Sequence, residues 1–142
     1  MASIFTQIID GNIPGHFVWR DATAVAIMTI QPVRPGHLLV IPRAEIDHWD
    51  QLPAETLAHL LAVSQKITQG LKQAFPATRV GLLIAGLEVP HTHIHLAPLD
   101  TMADLDLSRA VMAAPEELAA AAEKIRQALM QQGCEEARLL AD

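Results

Sequence analysis

The sequence predicts an α+β domain with a mainly antiparallel sheet of about five strands and helices packed on it. Three observations carry this expectation. Short apolar runs rich in β-branched residues follow one another across tight turn signals, and two longer stretches carry helical periodicity. The length of 142 residues suits one domain, read as 1–142, with room for a real core.

Ile4, Phe5, Ile8 and Ile9 recur at helical spacing ahead of Asp10-Gly11-Asn12, so a short amphipathic helix closed by a turn is expected. Phe17 to Arg20 and Ala24 to Ile30 flank the polar Asp21-Ala22-Thr23 and read as a hairpin. Gln31-Pro32-Val33-Arg34-Pro35-Gly36 carries two prolines and a glycine and must be a loop; His37 to Pro42 follows as a buried strand. From Leu52 to Phe75, the positions Leu57, Leu60, Leu61, Ser64, Ile67 and Leu71 trace one face of a long helix that starts near Pro53. Arg79 to Ala85 reads as a strand, Gly86-Leu87-Glu88 as a turn, and the histidine-bearing segment after it as another strand. A last helix begins near Pro115, with Glu116 and Glu117 suiting its positive end, and buries Leu118, Ala121, Ala122, Ile125 and Leu129. Asp100 to Ala114 settles on no period, which suits a surface crossing or a cover over the site.

Composition narrows the function. Hydrophobic residues make up 51% and charged residues 18%, and the net charge of −6 contains no basic block, so a nucleic-acid backbone is excluded as the main partner. Cys134 is the single cysteine, which rules out an intrachain disulfide and a thiolate zinc cluster and fits a reducing compartment. The amino-terminal residues lack a basic region followed by an apolar one, and no run approaches a membrane span. A cytoplasmic protein without membrane partners is expected.

Val89-Pro90-His91-Thr92-His93-Ile94-His95-Leu96-Ala97-Pro98 places three of the seven histidines at alternate positions. On a strand these would share one face, with Thr92, Ile94 and Leu96 on the other. Neighbouring imidazoles could converge on one metal, but the outer pair would lie roughly 13 Å apart. One ion would therefore take two histidines and need further ligands elsewhere. Imidazole titrates near neutrality and can serve as nucleophile, proton shuttle or anion ligand, so phosphoryl chemistry is the other reading.

The run His91 to Ala97 resembles the signature of the histidine triad family. Ile27 through Pro42 resembles that family's second block, and Ile4-Phe5 through Ile13-Pro14 its opening, so the resemblance spans about residues 3–98 and leaves 101–142 as an extension. The resemblance implies a purine nucleotide site in a homodimer and nucleotidyl transfer through a covalent histidine intermediate. His93 would be the nucleophile, with a backbone carbonyl near the first histidine keeping its other nitrogen protonated. His95 would meet phosphate oxygens or the leaving group, and His91 and His37 would orient the row. Ile13, Ile27 and Ile30 match positions forming the base slot; the residues alone also allow plain core there, and allow His37 a purely structural place.

Several positions depart from the family pattern. Thr29 stands where an aspartate often binds ribose, Gly86-Leu87-Glu88 replaces polar residues that reach the phosphates, and Ile84-Ala85 lacks an asparagine. Thr29 and Glu88 are still carried as substrate-facing positions, and Glu88 would repel a phosphate from there. Some relatives bind zinc through two cysteines that read Ser3 and Thr6 here, and His48 without thiolates makes a poor zinc site. No metal and no cofactor are expected, and His16, His48 and His59 are read as surface residues. An enzyme acting on a nucleotide phosphoester, phosphoramidate or anhydride leads. A non-catalytic nucleotide- or anion-binding module and a histidine metalloprotein remain as alternatives.

Overall fold

The computed structural model describes residues 1–138, so the last four residues of the 101–142 extension lie outside the described residues. The chain runs α1 (Ile4–Ile9), β1 (Phe17–Arg20), β2 (Ala24–Met28), β3 (Leu38–Pro42), α2 (Ala54–Ala74), β4 (Arg79–Ile84), β5 (Ile94–Leu99), α3 (Pro115–Gln131) and α4 (Glu135–Arg138). Single 3₁₀ turns lie at Trp49–Gln51, Met102–Leu105 and Leu107–Arg109. Five strands form one sheet in the order β1-β2-β3-β5-β4, every neighbouring pair antiparallel. The α+β architecture expected from the sequence is the one observed.

β2 and β3 are buried at every position because both faces of the sheet's centre are covered. On one face Ala24, Ala26, Met28, Leu38, Val40, Ile94 and Leu96 meet α2 and α3, which contribute Leu60, Ile67, Leu71, Leu118, Ile125 and Leu129. On the other, Val25, Ile27, Leu39 and Ile41 gather around Phe5 of α1. Strict apolar alternation is therefore absent from these strands, and the runs read as continuous. The long helix buries Val63 and Gly70 along with the expected Leu60, Ser64, Ile67 and Leu71, while Leu57 is only partly buried and Leu61 is 44% exposed. α3 packs on α2, β1 and β2 of its own chain.

Three boundaries differ from expectation. β2 stops at Met28, because Thr29 begins the loop that reaches Gly36. His37 lies just outside β3. The histidine segment is not a continuous strand: β5 begins at Ile94, so only His95 of the three sits in the ladder. The reason lies in two main-chain hydrogen bonds. The Thr92 N–H donates to the Ile46 carbonyl at 2.8 Å and the His91 N–H to the Val89 carbonyl at 2.8 Å, which takes both away from any neighbouring strand.

The stretch 100–114 forms a strap. Arg34 pairs with Asp100 at 3.0 Å and Asp104 at 2.8 Å, and Asp104 also closes a capping box with Thr101. Farther on, Val111 N–H donates to the Pro32 carbonyl and Ala113 N–H to that of Ile30. Gly36, at φ 97°, turns the chain into β3 where a Cβ would sit 3.0 Å from the Phe75 ring. Among the described residues no helix is long and apolar enough to cross a membrane.

Gly70 sits inside α2 at its contact with α3. A Cβ there would lie 2.6 Å from Leu129 Cδ2, and Leu129 is fully buried and cannot swing aside. Alanine's intrinsic helical advantage of about 1 kcal/mol is opposed by overpacking of about 1–3 kcal/mol. We expect Gly70→Ala to lower the unfolding free energy in urea melts despite the better helix former.

Candidate active site

Four histidines lie on the Phe5 face of the sheet. Register places His95 beside Leu39, a member of the Phe5 cluster, and the Phe5 ring stands edge-on to His91 and His93 at 5.7 and 4.9 Å between centroids. The rings of His93 and His95 are 5.1 Å apart and those of His95 and His37 5.2 Å. The three expected histidines thus share a side, but loop geometry brings His91 and His93 there rather than strand alternation.

Each ring is held by partners that decide where its proton sits. His91 is fully buried; its Nε2–H donates to the Pro42 carbonyl at 2.8 Å, and its Nδ1 lies 2.6 Å from Ser3 Oγ. A carbonyl only accepts, so Nε2 carries the proton and Nδ1 of the neutral ring accepts the Ser3 hydroxyl. His93, 7% exposed, donates Nδ1–H to the His91 carbonyl at 2.8 Å, which leaves its Nε2 lone pair unprotonated. The Val33 N–H donates to His37 Nδ1 at 3.0 Å, so His37 Nε2–H donates to His95 Nδ1 at 2.9 Å. His95 Nε2 therefore bears a proton. The row presents one bare nitrogen, on His93, beside one N–H donor, on His95.

Burial favours the neutral form of His37, His93 and His95. It pushes His37 down to about 4, and His95 beside it adds to the fall. Burial likewise takes His95 to about 4, with His93 contributing. His93 is also lowered, chiefly by burial; the bond to the His91 carbonyl and the charge of Glu88 pull the other way. Part of the dryness comes from the strap. Leu105 and Leu107 close over Val33, His37, Gly81, Leu83, His95 and Ala97, leaving a cavity of about 10 Å³, room for a single water.

The remaining candidate positions are placed as follows. Ile27 is 4% exposed and packs in the Phe5 cluster, Ile13 is half-buried, and Ile30 stands out at 55% exposure. Thr29 is half-buried, and its Oγ1 accepts from the Gln31 N–H at 3.3 Å. Glu88 is exposed, yet its charge reaches His93. His59, expected to be a plain surface residue, instead pairs with Asp21 at 2.8 Å. Asp21 also accepts Trp19 Nε1–H at 2.8 Å and two backbone N–H groups, so this pair ties the β1–β2 turn to α2.

Sequence reasoning passed over Ser3 as a hydrogen-bonding partner, and over Phe5, Val33 and Pro42 as groups that hold the row. Ser3 had a legible signal as the N-cap of α1, but its link to His91 spans 88 positions of chain. The contributions of Val33 and Pro42 come from backbone atoms, which residue identity does not report. Among the described residues no group of three or more His, Cys, Asp or Glu side chains is placed to hold a metal ion. A cavity of about 580 Å³ lies between the Pro32–Gly36 loop, Phe75 and α3, and no histidine lines it. Its proximity to no catalytic chemistry makes the histidine row the better site.

Comparison with known proteins agrees with this geometry. A family model described as the HIT domain matches residues 10–102. An uncharacterised HIT-like protein of Methanocaldococcus jannaschii is 31% identical over 99 residues, 67% of this chain and 77% of its own length. The adenosine 5'-monophosphoramidase of Schizosaccharomyces pombe is 30% identical over 99 residues, 69% of this chain and 74% of its own. The crystal structure of a zinc-bound histidine triad family protein from Mycobacterium smegmatis superposes with a TM-score of 0.81 at 26% identity, covering 96% of this chain and 99% of that one. With the family model spanning well over half of the sequence and a buried histidine row at its centre, the chain belongs to the histidine triad family.

Proposed function

We propose that this protein is a nucleotidyl hydrolase or transferase that cleaves a nucleotide phosphoester, phosphoramidate or anhydride through a covalent intermediate on His93. The observation that carries this reading is the 2.8 Å bond from His93 Nδ1–H to the His91 carbonyl, which aims a bare Nε2 lone pair from a buried neutral ring. The activity of the fission yeast phosphoramidase relative supports the reaction class.

In the first step His93 Nε2 forms a bond to the α-phosphorus while the bond to the leaving group breaks, and the leaving group departs with the electron pair. His95 Nε2–H donates to a phosphoryl oxygen as charge builds there. His37 keeps His95 in that tautomer, because the Val33 N–H occupies its own Nδ1. Water then attacks phosphorus as the His93–phosphorus bond breaks and returns its electron pair to Nε2; one proton of the water stays on the product phosphate and the other is taken up by the departed leaving group. Ile13, Ile27 and Ile30 are assigned to the base, a purine in this reading, and Thr29 offers the ribose a hydroxyl. The protein acts as a homodimer in the cytoplasm, and light scattering at micromolar concentration tests the dimer.

One observation favours a second reading, a binding module without turnover: the charge of the exposed Glu88 carboxylate is felt at His93, where it would also repel an anionic substrate. The two separate on incubation with adenosine 5'-phosphoramidate. Turnover, with a nucleotidyl adduct on His93 in acid-quenched samples, supports the enzyme. Calorimetric binding with neither adduct nor product supports the module.

His93→Ala should lower turnover by roughly 10³-fold or more while leaving the circular dichroism spectrum and melting temperature close to those of the parent. Turnover unchanged in that variant would remove His93 from its role.

The pH dependence follows from the neutral rings. His93 attacks only when unprotonated and is lowered from its ordinary value of 6.5, so the acid limb of kcat/KM should lie below 6.5 rather than at it. Stability moves in the same direction. His37 and His95 stay neutral in the fold down to about 4, whereas in the unfolded chain they take protons near 6.5. Their share of stability is complete above 6.5 and is lost as pH falls toward 4. Thermal melts from pH 7 to 4 check this, and flat melting temperatures would contradict the burial of these rings.

Glu88→Gln should strengthen binding of an anionic nucleotide by about 2–5-fold, the scale of one exposed charge, and move the acid limb of kcat/KM to lower pH. Steady-state kinetics of the variant across pH reads both effects.

A further inference from the structure

We propose that Ser3 is a positioning residue for the His93 nucleophile, acting through His91; this rests on the role of His93 proposed above. Ser3 is buried, 88 positions from His91 in the chain, and its Oγ lies 2.6 Å from His91 Nδ1. The opposite edge of the His91 ring donates Nε2–H to the Pro42 carbonyl at 2.8 Å. The ring is clamped at both nitrogens, by α1 on one side and the end of β3 on the other.

That clamp matters because residue 91 has no strand ladder to hold it. His91 precedes β5, and its carbonyl is the group that accepts His93 Nδ1–H. A shift of the His91 main chain therefore moves the acceptor that fixes the nucleophile's tautomer and aim. Apart from the bond it receives from His93, His91 is held among the described residues by hydrogen bonds to Ser3, Pro42 and Val89.

Ser3 is itself fixed. Its N–H donates to Glu45 Oε1 at 2.6 Å, and Thr6 Oγ1–H donates to the same oxygen at 2.7 Å. The Thr6 N–H donates to Ser3 Oγ at 3.1 Å, so one hydroxyl caps α1 and donates to His91 at the same time. Phe5, two residues on, stands edge-on to both His91 and His93. The start of α1 thus touches the row with a polar contact and an apolar one.

Capping and positioning separate by substitution. Glycine is a tolerated N-cap, costing only a few tenths of a kcal/mol against serine, but it brings no hydroxyl to His91. Threonine restores both. In Ser3→Gly we expect a melting temperature near that of the parent, kcat reduced about tenfold or more with KM within twofold, and rescue of kcat in Ser3→Thr. The second readout needs no turnover. Nitrogen-15 spectra of the imidazoles should show His91 Nδ1 losing its hydrogen bond and the His93 Nδ1–H signal broadening through exchange with water.

Full kcat in Ser3→Gly, or unaltered His91 and His93 imidazole signals, would overturn the proposal. If the parent protein turns over no nucleotide, the catalytic reading fails by itself, while the imidazole spectra still decide whether Ser3 sets the His93 tautomer.

Discussion

The organisation of this site depends on one requirement: a buried neutral imidazole has one donor and one acceptor nitrogen, and each must meet its complement. Three main-chain groups meet it here. Val33 N–H, the Pro42 carbonyl and the His91 carbonyl assign the protons of His37, His91 and His93 in turn. His95 takes its assignment from His37. Val33 and Pro42 lie at the two ends of the segment containing β3, the strand that pairs with both β2 and β5. The central strand therefore sets the distance between two of the anchors, and the apolar core that holds β3 in place also holds the tautomers.

Burial does a second thing. The Phe5 ring and the strap leucines Leu105 and Leu107 cover the row, and burial disfavours the charged form of His37, His93 and His95, which keeps the His93 nitrogen bare at neutral pH. The same dryness would be costly if any ring lacked a partner, at about 1–3 kcal/mol for each unsatisfied group. The hydrogen bonds and the apolar cover are consequently one device. Arg34 joins its parts: it belongs to the loop that supplies Val33 and pairs with Asp100 and Asp104 at the root of the strap.

How far the sequence discloses this arrangement depends on whether the information is local. The helical period of Leu60, Ile67 and Leu71 and the proline at the start of α3 are local, and those elements stand where they were expected. The paired runs around Asp21 to Thr23 form the expected hairpin for the same reason. The alternation of His91, His93 and His95 suggests a strand, but the bond from Thr92 to Ile46 decides otherwise, and its two ends are 46 residues apart. The histidines themselves are legible as a cluster. The groups that assign their protons are main-chain atoms of distant residues or a serine 88 positions away, which no spacing rule reaches.

The contrast between the complete histidine row and the altered residues around it can be weighed by magnitude. Glu88 is exposed, and a solvated charge pair at contact distance is worth about 1 kcal/mol, further reduced by salt. Replacing an aspartate by Thr29 removes one charge-assisted hydrogen bond, about 1.5–3 kcal/mol. Together these weaken nucleotide binding by a few orders of magnitude at most, and a leaving group bearing positive charge would recover part of the Glu88 contribution. A catalytic imidazole in the wrong tautomer loses far more, about 10⁴-fold in rate for the general-base histidine of a Ser-His-Asp protease. Under the proposed reaction, substitutions on the nucleotide side would change which substrate is accepted, whereas the bonds at His91, His93 and His37 would govern whether the chemistry proceeds. The intact hydrogen bonding of the row weighs toward catalysis with an altered specificity rather than a vestigial binding site.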